Sequence, residues 1–300
     1  MIFKATKESD STDLNGPSLA ARRSATEYLN TAVAGTGMGG SSSKPPPAAP
    51  PPQQELTLDV GEDLESSLRK LIPLVHAGDV KAQQQAASCL ANLAVQDEHQ
   101  VTIVKQGGLL LLVPLMAKGD IEVQRLAAHA VANLAVNADN RQDIVDEGGI
   151  KPLISLMSSP NMEVQRQSTK AIANLAVNAD NKTKIVAEGA LPAILALTKD
   201  STEPVRCEAI AALANLAVND ENEVKIAEAG ALELLLGLVP ASSLETRRQI
   251  ARALANLSVN PANKEQLLKL DAVAILGDMK LSDDPKVQRQ STRALQNLTG

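Results

Sequence analysis

Six asparagines stand at equal intervals along the chain, and their side chains suit binding rather than catalysis. Each lies 41 residues from the next. A primary amide carries N–H donors and a carbonyl acceptor, so it can hydrogen-bond both groups of a peptide unit. The positions are Asn92, Asn133, Asn174, Asn215, Asn256 and Asn297. We call them the central asparagines.

The neighbours of each central asparagine indicate the charge of the surface around it. On a helix, positions four and seven residues earlier lie on the same face. The four-before column is Ser88, His129, Lys170, Ala211, Arg252 and Arg293. The seven-before column is Gln85, Leu126, Gln167, Glu208, Gln249 and Gln290. This face is predicted to be polar and mildly basic, although the whole chain has a net charge of −6.

Two further columns have two open interpretations each. A basic column about 80° away, at the edge of the face, has a Glu three residues before three of its members, which favours intrahelical ion pairs over ligand contacts. The basic residues are Arg125, Arg166, Arg248 and Arg289, and the three acids are Glu122, Glu163 and Glu245. The four-after column either faces a ligand or marks a helix end. It comprises Asn137, Asn178, Asn219 and Asn260.

The residues that could support catalysis are few and scattered. The only histidines, His76, His99 and His129, occupy three different positions of the repeat, so neither a metal site nor a His-based triad is indicated. The Gly-Gly pairs do not form a phosphate-binding loop after a strand. The sequence therefore predicts no enzyme, no metal and no cofactor. Cys89 and Cys207 show no ligand-like spacing, which fits a reducing compartment.

Composition excludes several classes of partner. The acidic net charge argues against nucleic acid and anionic membranes. Phe3 and Tyr28 are the only aromatic residues, and there is no Trp, so the repeats lack a platform for stacking bases. No apolar run near the N-terminus suits a signal peptide or a membrane span. We expect a cytoplasmic protein, with the nucleus as a second location.

The 41-residue period is typical of a solenoid built from stacked helical units. In the copy around Asn133, Asn140 is the predicted N-cap of a short helix that ends at Gly148. A second helix follows from Ile150, and the third and longest begins near Glu163. The cap column is His99, Asn140, Asn181, Asn222 and Asn263. The helix break, predicted to need a left-handed or very tight backbone, falls at Gly107, Gly148, Gly189 and Gly230, with Asp271 in the last copy.

The chain divides into a tail and a helical array. Residues 1–55 are rich in Ser, Gly and Pro, and are predicted to be disordered. Their Lys44-Pro45-Pro46-Pro47-Ala48-Ala49-Pro50 segment matches an SH3-type ligand, although proline runs also serve as plain spacers. Residues 63–300 form the array, divided into 63–96, 97–137, 138–178, 179–219, 220–260 and 261–300.

The three-helix period, the glycine between the first two helices and the late Ala-x-Asn-Leu motif resemble the armadillo repeat. The resemblance implies a right-handed superhelix of six repeats, the first without a clear opening helix. It also implies that the third helices line a concave groove, where the central asparagines hold the backbone of an extended peptide. The alternative is that these asparagines act only within the scaffold. Val-Gln-Arg strings and the Ala-Leu-Gln-Asn-Leu string at residues 294–298 are similar to those of vacuolar-type armadillo-only adaptors. The acylation signal of those adaptors is absent, because residue 2 is Ile.

The basic column resembles the groove of the beta-catenin type, which takes acidic or phosphorylated extended segments. We therefore expect a non-catalytic adaptor whose groove contains the central asparagines, His129, Lys170, Arg252 and Arg293. The first alternative is an assembly or regulatory module of a longer chain or oligomer. This alternative rests on the third helix of the last repeat, which ends at the C-terminus and is not followed by a polar capping repeat. Apolar residues exposed there would favour self-association. A nuclear-import cargo receptor is a minor alternative. The absence of Trp argues against it, because the importin-alpha groove uses Trp at the four-before position.

Overall fold

The computed structural model describes residues 64–76 and 79–300, which contain 17 α-helices, one short 3-10 helix at Val239–Ala241 and no strand. The helices are α1 (Leu64–His76), α2 (Val80–Leu93), α3 (Asp97–Lys105), α4 (Gly108–Lys118), α5 (Ile121–Leu134), α6 (Asn140–Asp146), α7 (Ile150–Leu156), α8 (Met162–Leu175), α9 (Ala179–Ala187), α10 (Ala190–Asp200), α11 (Glu203–Leu216), α12 (Asp220–Glu228), α13 (Ala231–Leu238), α14 (Leu244–Leu257), α15 (Pro261–Lys269), α16 (Ala272–Lys280) and α17 (Pro285–Thr299). The predicted tail and its proline motif lie outside the described residues.

The helices repeat in threes, as the sequence predicts. Five complete units run from α3 to α17, and α1 and α2 are the second and third helices of the first unit. The third helices, α2, α5, α8, α11, α14 and α17, pack side by side in one continuous layer. The result is an all-α solenoid whose largest uniform surface is built from six equivalent helices.

The third-helix layer is held together by a repeated aliphatic position. Two residues before the central asparagine, the five side chains from α2 to α14 are fully buried. They are Leu90, Val131, Ile172, Leu213 and Leu254. Full burial of such a side chain contributes about 1.5–3 kcal/mol. The alanines around them are small enough to let neighbouring helices approach closely.

The break between first and second helices has the predicted left-handed backbone. The φ angles are +83° at Gly107, +79° at Gly148, +86° at Gly189 and +85° at Gly230. Asp271, which takes this place in the last repeat, also has a positive φ, of +56°. A non-glycine residue is strained there, although Asp tolerates the region better than most side chains.

The predicted N-caps of the first helices are wrong, by three residues for α9, α12 and α15 and by one residue for α6, whose N-cap position is Asp139. The side chains of Asn178, Asn219 and Asn260 cap α9, α12 and α15 by accepting hydrogen bonds from backbone N–H groups at 2.9–3.3 Å. Asn137 accepts from the Asp139 N–H at 2.9 Å. The reason is that an N-cap has an extended backbone one residue before the helix. Asn178, Asn219 and Asn260 meet this condition and cap the helix that follows them, a role that neither interpretation of the four-after column predicts.

The asparagines predicted as caps instead connect consecutive repeats. Asn140, Asn181, Asn222 and Asn263 are at most 3% exposed. Each donates from Nδ2 to a backbone carbonyl 40 residues earlier, in the first helix of the preceding repeat, at 3.0–3.2 Å. Three of them also donate to a carbonyl six residues earlier, at the end of the third helix that precedes them in the chain. His99, the first member of that column, caps no helix, because Gln96 is the N-cap of α3.

Within the described residues, no single helix is long and apolar enough to span a membrane. One bent pair, α3 with α4, meets the length and composition test jointly, and its two helices meet at 87°.

Candidate functional site

The central asparagines lie on the third-helix layer, and most of them bond across the repeat boundary. Their Nδ2 atoms donate to a backbone carbonyl 42 residues earlier, on the preceding third helix. The bonds are Asn174 to Ala132 at 3.0 Å, Asn215 to Ala173 at 2.7 Å, Asn256 to Ala214 at 2.8 Å and Asn297 to Ala255 at 3.2 Å. A scaffold role is therefore observed for the amide N–H groups of these four asparagines. The bond joins two consecutive repeats rather than two groups of one repeat.

The end of each third helix explains this bond. At the end of α11, the Ala217 N–H bonds the Leu213 carbonyl and the Val218 N–H bonds the Asn215 carbonyl. The Ala214 carbonyl between them receives no backbone donor, as is usual for the last turn of a helix. The Asn256 side chain supplies that donor. The acceptor Oδ1 of each of these four asparagines accepts no hydrogen bond within the described residues.

Three cations of the four-before column have no acidic partner among the described residues. Lys170 makes no ion pair within 4 Å. Arg293 is exposed and unpaired. Arg252 is half-buried and donates from Nη2 to the Ala211 carbonyl at 3.2 Å, but its buried Nε has no partner. Burial lowers the Arg252 pKa, although an arginine stays charged in a protein.

His129 completes the basic side of this face. It is partly buried, and burial lowers its pKa, with further lowering by the charges of Lys170 and Arg125. His129 is therefore mostly neutral at neutral pH in the free protein. A ligand carboxylate beside it would favour the protonated form, so this position responds to the charge of whatever binds.

The arginines at the edge of the face are paired by glutamates of their own helices, as the sequence favours. Arg125 contacts Glu122 at 2.7 Å and Arg166 contacts Glu163 at 3.5 Å. Arg248 contacts Glu245 at 2.7 Å and also Asp284 on the next repeat at 2.6 Å. The Arg248 contact lowers the pKa of Asp284 to about 2. The fourth member, Arg289, is exposed and makes no ion pair within the described chain.

Helix α11 interrupts the basic character of the face. It carries Ala211 in the four-before column, Glu208 in the seven-before column and Cys207 at the edge. Burial raises the pKa of the Glu208 carboxyl and of the Cys207 thiol. Neither Cys207 nor Cys89 forms a disulfide in the described part of the chain. The raised pKa of Cys207 indicates an unreactive side chain.

One structural column escaped the sequence analysis, although one of its members, Gln165, belongs to a Val-Gln-Arg string. The residue before the edge-column position bonds back to a carbonyl at or just past the C-terminal end of the second helix. The bonds are Gln83 to Val75, Gln165 to Ser159, Arg206 to Thr198 and Arg247 to Val239. The regular appearance of a long donor at this position was the available signal.

No group of three or more His, Cys, Asp or Glu side chains is arranged to hold a metal ion in the part of the chain that the structure describes. The third-helix face presents amide acceptors, together with cations that have no acidic partner among the described residues.

The sequence of the helical array matches a known family of repeats. The model of the armadillo/beta-catenin-like repeat matches residues 137–177, 178–218, 219–259 and 260–300, more than half of the chain. No curated protein matches the chain in sequence.

Solved structures of designed and engineered proteins are similar over the helical array. An engineered protein from a structural genomics consortium is 34% identical, with a TM-score of 0.74 over 77% of this chain and 96% of its own. A designed armadillo repeat protein is 30% identical, with a TM-score of 0.74 over 77% of this chain and 100% of its own. A further designed armadillo repeat protein, solved with the peptide (KR)4, is 30% identical, with a TM-score of 0.72 over 77% and 99%. With the repeat matches and the three-helix superhelix, these likenesses show that the chain belongs to the armadillo/beta-catenin-like repeat family.

Proposed function

We propose that this protein is a non-catalytic adaptor that binds an extended, acidic or phosphorylated segment of a protein partner along its third-helix face. The observation that carries the proposal is the contrast between two sets of cations. Three of the four edge arginines are paired with glutamates of their own helices. Lys170, Arg252 and Arg293 share the face with the asparagines and have no acidic partner within the described chain. Lys170 and Arg252 are also partly buried, and such cations favour an anionic ligand because it restores the interactions lost with water.

The repeat spacing suits an extended chain. Packed helices lie roughly 8–10 Å apart, and an extended strand advances about 3.4 Å per residue. One free Asn Oδ1 can therefore accept an N–H from about every third ligand residue. The central asparagines would then serve both the scaffold and the ligand, because the two roles use different atoms of one amide.

The designed relative was solved with (KR)4, a peptide of lysines and arginines. We propose the opposite charge for this chain because its four-before column is mainly basic. A direct test compares (KR)4 with the peptide Glu-Asp-Glu-Ala-Ala-Ala-Glu-Asp-Glu. Its neutral centre matches Ala211, which interrupts the basic column.

The binding test uses fluorescence anisotropy with the full chain at two salt concentrations. We expect the acidic peptide to bind, to weaken as salt rises, and to lose more than tenfold in affinity in the Lys170→Glu/Arg252→Glu double variant. A matched control, Lys199→Glu/Lys280→Glu, changes the net charge equally at exposed second-helix positions. Equal loss in both variants, or preferential binding of (KR)4, would contradict the proposed ligand charge. Circular dichroism of each variant separates lost binding from lost folding.

A second candidate function is self-association through the last repeat. Val273 is 38% exposed and Leu268 is 45% exposed, whereas their equivalents one repeat earlier, Leu232 and Ala227, are 0% and 3% exposed. This apolar end face suits a second copy of the chain or another repeat. Sedimentation at increasing concentration tests it. We expect association that Val273→Lys reduces, and a monomer at every concentration would exclude it.

A further inference from the structure

The third-helix face is divided into two basic parts by a single acidic position. In the seven-before column, Glu208 replaces the Gln found at four of the other positions, and Leu126 occupies the fifth. On the same helix, Ala211 supplies no cation. The unpaired cations Lys170 and Arg252 lie on the helices to either side, α8 and α14.

The surroundings of Glu208 leave its carboxylate without a direct partner. The side chain is half-buried and forms no hydrogen bond and no ion pair within 4 Å among residues 64–76 and 79–300. Lys170 and Arg166, from α8, attract it at longer range. Glu245, from α14, repels it and is itself bonded to Arg248 and Gln249. Burial of this unpaired carboxylate raises its pKa.

An unpaired carboxylate on a binding face discriminates among ligand residues. It repels a ligand Asp or Glu placed beside it, whereas a Lys or Arg would gain a charge-assisted hydrogen bond. The Gln of the neighbouring repeats has nearly the same shape but no charge, so it would not make this distinction. The difference between Glu208 and the rest of its column is therefore one of charge alone.

We propose that Glu208 is a specificity-determining residue that makes the groove select two acidic clusters separated by a basic or neutral centre. This inference rests on the proposed function. Lys170 and Arg252 lie two helix spacings apart, about 16–20 Å, which corresponds to about five or six residues of an extended chain. The partner segment would carry its acidic clusters at that spacing, with Lys, Arg or a small neutral residue opposite Glu208.

The test uses three peptides of the form Glu-Asp-Glu-Ala-X-Ala-Glu-Asp-Glu, in which X is Lys, Ala or Glu. The sequence reads the same in both directions, so the direction of binding does not affect the result. We expect the X = Lys peptide to bind about tenfold more tightly than the X = Glu peptide at low salt. Attraction to a uniformly basic face predicts the reverse order, because the X = Glu peptide is the most acidic.

The matched variant is Glu208→Gln, which installs the residue common to the column. In it we expect the preference for Lys to disappear, because the X = Glu peptide is no longer repelled and the X = Lys peptide loses its charge-assisted hydrogen bond. Replacement of the first Glu of the X = Ala peptide by Lys serves as a positional control. There, wild type should show no preference for Lys.

The outcomes separate the two proposals. Salt-sensitive binding of all three peptides without a preference for Lys at X would overturn the role of Glu208 and leave the adaptor function standing. A preference for Lys that persists in Glu208→Gln would overturn it equally. Failure of all three peptides to bind would overturn both proposals.

Discussion

Replacing Asn256 by Ala should weaken the interface between two repeats. Asn256 is 9% exposed, and its Nδ2 donates to the Ala214 carbonyl at 2.8 Å. That carbonyl receives no backbone N–H, and Ala214 is 1% exposed. The substitution therefore leaves a buried acceptor without a donor. Such a loss costs about 1–3 kcal/mol, and a loss in this range lowers the unfolding temperature of an array of this size by about 2–12 °C.

The measurement is urea unfolding followed by circular dichroism, with Asn92→Ala as the matched control. Asn92 occupies the same place in the same motif but is exposed, so its substitution should change the free energy of unfolding by less than about 0.5 kcal/mol. Asn256→Asp should be more harmful than Asn256→Ala, because it sets an acceptor against the Ala214 carbonyl oxygen. Equal midpoints for Asn256→Ala and Asn92→Ala would refute the assignment of a structural role to the central asparagines.

Three further predictions concern charge and backbone strain. The pKa of Asp284, lowered from 3.8 to about 2 by Arg248, means that wild type loses this contribution to stability as pH falls from about 4 to 2. Asp284→Asn should keep the N-cap of α17 and remove that acid dependence in pH titrations of unfolding; an unchanged profile would argue against the ion pair. Glu208→Gln should raise the free energy of unfolding at pH 7, because burial raises the Glu208 pKa, and the gain should shrink as acid protonates Glu208; a loss at pH 7 would contradict this. Asp271→Gly should stabilise by about 0.5–1 kcal/mol by relieving a positive φ, and thermal unfolding that shows destabilisation would exclude strain there.

Much of the fold could be predicted from the sequence because its signals are local and repeated. The 41-residue period predicted a repeating helical unit, and the aliphatic positions indicated the buried side of each third helix. The glycine column predicted a left-handed backbone, since few other residues adopt it without strain, and the structure shows positive φ even at Asp271. The glutamates three residues before three of the edge arginines predicted the ion pairs correctly, because both partners of each pair lie on one helix.

The roles of the asparagines could not be settled in this way. Asn178 and Asn181 both precede or begin a helix, and only the backbone path shows that Asn178 is the N-cap and that Asn181 reaches the repeat before it. The central asparagines also bond residues 42 positions away. A partner at that distance depends on how the repeats stack, which the composition of one helix does not specify.

By itself, the sequence determined the repeat, the helix breaks, the aromatic-free core and the sign of charge in each column of the third helices. These follow from helical geometry and residue type, which act within one turn or one repeat. Only the tertiary structure decided which amides and cations are already engaged. It showed that three of the four edge arginines are paired and that Lys170, Arg252 and Glu208 lack direct ionic partners within the described chain. It also showed that the donor half of each bridging central amide is bonded to the scaffold. The physical reason is that the availability of a polar group depends on its neighbours in space, which belong to other repeats.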